Sequence, residues 1–248
     1  MFSSTLITPR DLLAPAGEQV SLEIEVERRF APFIDPPYVA ARLELDGHGS
    51  AITDGEGQAA VPLQGLATGP NRIRVALDGV STEAMVVVIP RDAPVFITDI
   101  DHTIADVSSV GFIFKSVGKV RPLEGAAEAL VEISRKMQIV YLTARDHIFT
   151  RKTKEWLALH RFPEAPVYLR RRTRFWTVRA RDHKVSRLRE MRLAFPNIRW
   201  GVGDLPGDAE AYREHGIPPI LISPRPLAGV PEGTIQVTRW SEIEAMIK

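Results

Sequence analysis

The hydrophobic rhythm of this chain changes once, at Ile89-Pro90-Arg91-Asp92-Ala93-Pro94, and that change limits what it can fold into. Before it, apolar residues alternate with polar ones: Val20, Leu22, Ile24 and Val26, then Ala41, Leu43 and Leu45, then Ile73, Val75 and Leu77. Successive side chains of a strand point to opposite faces, so a period of two reads as strands with one buried face. Turn signals separate the runs at Asp46-Gly47, Asp54-Gly55, Gly69-Pro70-Asn71 and Asp78-Gly79. No helical stretch of useful length interrupts them. The spacing predicts a small antiparallel β-sandwich over residues 1–92.

Past the two prolines, strands alternate with helices. Strands are predicted over 95–100, 138–143, 167–169, 198–202, 220–223 and 235–237. Helical spacing covers 123–136, 150–160, 184–195, 209–214 and 241–247, the last with Ser241 as cap and Glu244 at the capping-box position. This alternation predicts an α/β domain over 93–248, a doubly wound parallel sheet. In such sheets functional side chains stand at the carboxyl ends of strands.

Charge divides at the same place. Residues 1–90 hold 6 Lys/Arg against 12 Asp/Glu, and residues 91–248 hold 26 against 19, within a net charge of +1. The basic excess gives the second domain an affinity for anions. With no cysteine, disulfides and thiolate metal sites are excluded. The amino terminus lacks the charged start and long apolar core of a secretory signal. The longest apolar run, 84–89, is too short to span a bilayer. The expectation is a soluble, cytoplasmic protein, with any membrane contact peripheral.

Four polar features fall at or near predicted strand ends. Asp99-Ile100-Asp101-His102-Thr103 follows the strand VFIT. In extended backbone Asp99 and Asp101 share a face, and adjacent carboxylates repel unless a cation or a shared proton neutralises them. A hard cation such as Mg²⁺ suits oxygen ligands; a solvated loop is the other reading of the same residues. Thr143 closes QIVYLT, where its hydroxyl and nearby N–H groups can hold a phosphoryl oxygen or serve structure alone. Lys184 opens a predicted helix, where a lysine is ordinarily solvated. Gly203-Asp204-Leu205-Pro206-Gly207-Asp208 follows IRWGV, with two acids that suit a metal site or a turn and helix cap.

Taken in that order, the four features resemble the motifs of the haloacid-dehalogenase-like (HAD) phosphatase superfamily over roughly residues 94–225. The resemblance implies an aspartyl-phosphate enzyme: Asp99 as nucleophile, Asp101 as general acid and base. It implies Mg²⁺ held by Asp99, the Asp101 main-chain carbonyl, Asp204 and Asp208. Thr143, Ala144 and Lys184 would bind the phosphoryl oxygens. Asp101 counts against a dehalogenase, because a departing halide needs no acid. Only 42 residues separate Asp101 from Thr143 and 41 separate Thr143 from Lys184, which leaves no room for a full cap domain. A capless site favours a large substrate or one presented at a surface.

Finer segments resemble lipin/App1-type phosphatidate phosphatases: Asp99 to Ile104, Val120 to Gly125, Tyr141 to Asp146, Trp156-Leu157, Phe162-Pro163, Val167 to Arg170, His183-Lys184 and Phe195-Pro196. His102 stands where lipins usually have glycine. The stretch 53–59 resembles turns of bacterial immunoglobulin-like and carboxypeptidase-regulatory-like modules, and the first domain is expected to be an immunoglobulin-like sandwich. The implied substrate is phosphatidate or a related lipid phosphate, with Arg145, Arg170 and Arg171 as substrate-binding residues. The apolar stretch 107–120, with two lysines, would dip into a membrane interface or pack on the core. Residues 151–192 hold 14 Lys/Arg against 4 Asp/Glu, which suits anionic lipid headgroups, nucleic-acid phosphates or solvent alone. A polynucleotide-end (3′) phosphatase is therefore the second expectation, and a non-catalytic lipid-binding module a third.

Overall fold

The computed structural model describes residues 4–30, 35–170 and 180–247, with the side chains of 180 and 181 outside that description. The chain forms two compact units, Met1–Pro90 and Arg91–Lys248.

The first unit contains only strands among its described elements: β1 (Ser4–Pro9), β2 (Leu12–Pro15), β3 (Val20–Arg29), β4 (Arg42–Leu45), β5 (Gly49–Ile52), β6 (Gln58–Leu63), β7 (Gly69–Leu77) and β8 (Val80–Ile89). They make a three-stranded sheet, β1-β3-β6, and a five-stranded sheet, β2-β8-β7-β4-β5. Leu22, Ile24, Val26, Val61 and Leu63 from the first meet Leu43, Leu45, Ile73, Val75 and Val86 from the second in one apolar core. These are the alternating positions of the sequence, so the period of two is the reason for the sandwich. One pairing departs from the antiparallel expectation: β2 runs parallel to β8, Leu12 opposite Val86 through Pro15 opposite Ile89.

The second unit runs β9 (Val95–Thr98), α1 (Ser109–Phe114), α2 (Ala126–Ser134), β10 (Gln138–Asp146), α3 (Thr150–Leu159), β11 (Val167–Arg170), α4 (Ala180–Ala194), β12 (Ile198–Gly203), α5 (Pro206–Glu214), β13 (Pro219–Ile222), β14 (Ile235–Val237) and α6 (Trp240–Ile247). Six strands form one parallel sheet in the order β11-β10-β9-β12-β13-β14. The chain starts at central β9, builds outward through β10 and β11, then returns to β12 on the other side. The order therefore reverses beside β9, and that is where such sheets bind ligands. β9 and β13 are buried along their whole length, as a strand covered on both faces must be. Helix α2 buries Ala126, Ala129, Leu130 and Ile133, one stripe at helical spacing.

Two elements differ from their predicted form. Helix α6 begins at Trp240, so Ser241 lies inside it. The amino-terminal bonds come from Thr238, whose main-chain N–H and hydroxyl both donate to Glu242. Strand β10 does not stop at Thr143 but continues to Asp146. Its register with β11 pairs Leu142 with Tyr168 and Asp146 with Arg170, so Thr143, Ala144 and Arg145 form an irregular bulge. A bulge breaks the period of two and re-aims side chains, so the strand's alternating pattern ends before the strand does.

Candidate active site

The site lies at the carboxyl ends of β9, β10 and β12. Past Thr98 the chain leaves β9 and turns tightly: the N–H groups of Ile104 and Ala105 both donate to the Ile100 carbonyl, and His102 donates to Ala105. His102 takes φ +52°, a left-handed conformation that is free of strain only for glycine. The buried indole N–H of Trp240 donates to the Thr103 carbonyl at 2.8 Å and ties the turn to α6.

This turn separates the two acids into different environments. Asp99 is buried, with Oδ1 accepting from the Ile100 N–H at 2.7 Å and Oδ2 from Lys184 Nζ at 2.6 Å. Lys184, brought in by α4, also donates to Asp208 Oδ1 at 2.5 Å. The second oxygen of Asp208 accepts from the N–H groups of Asp204 and Leu205, at 3.2 and 3.1 Å, at the start of α5. Pro206 opens that helix, where its missing N–H costs nothing, and the helix dipole favours a carboxylate at this end. Asp208 reaches this position because Gly203 has no side chain. A Cβ there would stand 2.5–2.7 Å from atoms of Asp208.

Asp101 faces elsewhere. Arg145 Nε donates to its two carboxylate oxygens at 3.1 and 3.2 Å and Nη2 to Oδ1 at 2.8 Å, while Ser109 Oγ donates to Oδ2 at 2.5 Å. The guanidinium is only 2 % exposed, lies 3.6 Å above the Phe112 ring and donates to Thr153 Oγ1 at 3.4 Å. Lys152 holds the end of α1 by donating to the carbonyls of Phe112 and Ile113 at 2.5 and 3.2 Å. Thr143 is fully buried and its hydroxyl accepts from the Arg145 N–H at 3.3 Å; Ala144 is half-buried.

Oxygen atoms of Asp99, Asp204 and Asp208 lie within 4.8 Å of one another. Three carboxylates against one ammonium leave negative charge in a buried place. Burial, opposed by Lys184 and reinforced by Asp208, raises the Asp99 pKa to about 6. Burial, then Asp208 and Asp99, raises Asp204 to about 7. Burial alone would lower Lys184, but Asp99 and Asp208 outweigh it and hold the ammonium well above its ordinary range. An oxygen-only donor set carrying excess negative charge fits a hard divalent cation. The Asp101 carboxylate is committed to Arg145 and Ser109 and stands apart from this cluster.

The structure thus gathers Asp99, Asp204, Asp208 and Lys184 around one point. It puts Asp101 and Arg145 together beside Thr143 and Ala144. Arg170 is half-buried at the end of β11, and Arg171, like Arg172, Arg174 and Arg179, lies outside the described residues. Ser109, Phe112 and Thr153 are site neighbours that the sequence did not single out, since only the fold brings them to Arg145 and Asp101. In sequence His183 is distinguished only by standing next to Lys184. It is buried beside Arg187, Arg170 and Lys184, and its pKa falls to about 4, with burial the largest cause and a Thr143 main-chain hydrogen bond opposing.

A family model described as LNS2 (Lipin/Ned1/Smp2) matches residues 58–224, more than half of the chain. The chain belongs to the LNS2 family. It is a HAD-type phosphatase for a phosphorylated substrate, and its clustered Asp99, Asp204 and Asp208 suit a divalent metal. The LNS2 match begins in β6 of the first unit and takes in five of the six strands of the parallel sheet, ending just past β13 and before β14. No curated protein matches the chain significantly. Similar solved structures include the D,D-heptose 1.7-bisphosphate phosphatase of B. bronchiseptica complexed with magnesium and phosphate, at 17% identity, covering 62% of this chain and 97% of that one, with a TM-score of 0.48. A haloacid-dehalogenase-like hydrolase of Streptococcus pneumoniae aligns at 16% identity over 64% of this chain and 99% of its own, TM-score 0.44. A Pnkp1/Rnl/Hen1 RNA repair complex aligns at 15% over 52% and 42%, TM-score 0.44. No helix among the described residues is long and apolar enough to cross a membrane.

Proposed function

We propose that the chain is a magnesium-dependent phosphomonoesterase that acts through an aspartyl-phosphate at Asp99 on phosphatidate or a related lipid phosphate. The observation that carries this reading is the separate support of two acids on one turn: Lys184 on Asp99, Arg145 and Ser109 on Asp101.

An Asp99 oxygen attacks phosphorus while the bond to the leaving oxygen breaks, and protonated Asp101 gives that oxygen its proton. Water then surrenders a proton to Asp101, attacks phosphorus and breaks the bond to Asp99. Inorganic phosphate leaves, Asp99 is a carboxylate again and Asp101 has its proton back. Lys184 offsets charge on the phosphoryl oxygens, and Thr143 and Ala144 hold them. Asp99, Asp204, Asp208 and the Asp101 carbonyl would hold Mg²⁺, which supplies Lewis-acid compensation of phosphoryl charge. We assign Arg145 to positioning Asp101, because its fork is already committed to that carboxylate. Headgroup contact then falls to Arg170 and Arg171.

The lipid assignment is supported by the lipin family itself and by the absence of a cap domain among the described residues. The described parts of both inter-motif intervals are occupied by α1, α2 and β10, and by α3 and β11, all elements of the core unit. The basic balance of 151–192 favours a polynucleotide end as the second reading. The test is magnesium-dependent phosphate release from phosphatidate in mixed micelles, beside a 3′-phosphorylated oligonucleotide and para-nitrophenyl phosphate, with Asp99→Asn as control. Release from phosphatidate that the variant abolishes is expected. Release from the oligonucleotide alone would replace the lipid with nucleic acid, and no release from any of the three would leave a binding module.

A further inference from the structure

Helix α1 follows directly from the Asp99–Thr103 turn and is wedged against it. Its inner side carries Ser109, hydrogen-bonded to Asp101, and Phe112, fully buried under the Arg145 guanidinium. Gly111 lets it sit this close, since a Cβ there would stand 2.9 Å from Val107. Its outer side is unlike that of a solvated helix. Val110 is 65 % exposed and Phe114 is 82 % exposed. They are four positions apart and so share one face.

The stretch that holds α1 is cationic, with exposed Asp106 at its border, where the Asp106 N–H donates to the Arg121 carbonyl at 2.9 Å. No acidic residue occurs from Val107 to Leu123, whereas Lys115, Lys119 and Arg121 are all exposed. Leu205, 58 % exposed, follows Asp204 at the end of β12, which neighbours β9. The turns after both strands stand at the same carboxyl edge, so exposed apolar side chains occur on both.

We propose that α1 is a docking element for an anionic lipid surface, with Phe114 and Val110 entering the acyl boundary and Lys115, Lys119 and Arg121 meeting headgroups. This rests on the lipid-phosphate reading above and says how such a substrate reaches the site. An apolar tip within a cationic, acid-free stretch matches an interface that is apolar inside and negative at its surface. At 1.5 Å per residue, Phe114 lies only about 8 Å along the helix from Ser109. A headgroup at the membrane plane is thus brought to the edge at which Asp101 stands.

Sedimentation with phosphatidylcholine vesicles, with and without phosphatidylserine, tests this on wild type and Val110→Ser/Phe114→Ser. Both positions are exposed, and para-nitrophenyl phosphate turnover serves as the check that the catalytic unit is intact. The variant is expected to bind anionic vesicles about tenfold more weakly or worse, with turnover of the soluble ester unchanged. Phe114→Trp should retain binding. Equal vesicle binding by wild type and variant overturns the proposal. Failure of wild type to bind either vesicle also overturns it and points to a protein partner for this face. Phosphatidate in detergent micelles separates the two readings: weakened vesicle binding without phosphatidate hydrolysis keeps the docking surface and overturns the substrate.

Discussion

At the scale of single residues, the site is held by charge that its own side chains do not balance. Asp99 and Asp204 titrate near 6 and 7 against an ordinary 3.8, both chiefly through burial. An acid whose pKa is raised on folding supports the fold below its unfolded pKa and loses that support as pH rises through the folded value. Without magnesium these two groups therefore lower stability between about pH 4 and about pH 7. His183, lowered to about 4 from 6.5, runs the opposite way: its support is present above about 6.5 and lost as pH falls toward 4. That contribution is common to samples with and without metal. The magnesium-induced rise in Tm should therefore grow as pH rises through 6 to 7, as measured by thermal melts at several pH values. A rise that stays flat with pH would contradict the assignment of Asp99 and Asp204 as ligands. Arg145 makes a different prediction. Lysine keeps the charge but loses the fork that grips both oxygens of Asp101. Arg145→Lys should lower kcat for para-nitrophenyl phosphate about 10- to 100-fold with KM little changed. A rise in KM alone would return Arg145 to direct substrate contact.

At the scale of elements, the site depends on where strands stop and what lies beside them. Strand β12 carries Gly201 and Gly203. A Cβ at Gly201 would fall 2.3–2.5 Å from the Tyr212 ring, and one at Gly203 would fall on Asp208. These glycines are needed for space, so that α5 can lie against β12 with its first-turn acid turned into the site. Gly203→Ala should push Asp208 away, cost about 1–3 kcal/mol of stability, and weaken magnesium binding, which calorimetric titration would read directly. Unchanged magnesium affinity would show that Asp208 is not a ligand. The bulge in β10 does comparable work. It puts Arg145 on Asp101, whereas a regular strand would have kept Thr143 and Arg145 side by side on one face.

At the scale of the whole molecule, each compact unit has its own core. The first is built from residues between Ile7 and Val88, and the second from residues between Phe96 and Ile243, with none shared. A unit that closes its own core can fold by itself. The fragment 91–248 should therefore melt cooperatively and keep turnover of para-nitrophenyl phosphate within about threefold of the full chain. Loss of a cooperative transition would mean that the first unit completes the second.

Much of the fold was legible because burial patterns are local. Alternation in Val20–Val26 or Ile73–Leu77 and the apolar runs of β9, β10 and β13 each carry their period within a few residues. Asp99, Thr143, Lys184 and Asp204 were visible as polar residues at or near strand ends. The pairing of Arg145 with Asp101, the insertion of Phe112 beneath it and the hydrogen bond from Ser109 were not visible. They join residues 44, 33 and 8 positions apart through a bulge and a short helix that no periodicity marks. The sequence by itself determined the two-part architecture and the types of group at the site, because hydrophobic period and side-chain chemistry are properties of the residues. Only the tertiary structure decided which acid faces which cation. That choice depends on long-range packing and on desolvation, which exist only once the sheet has brought its strand ends together.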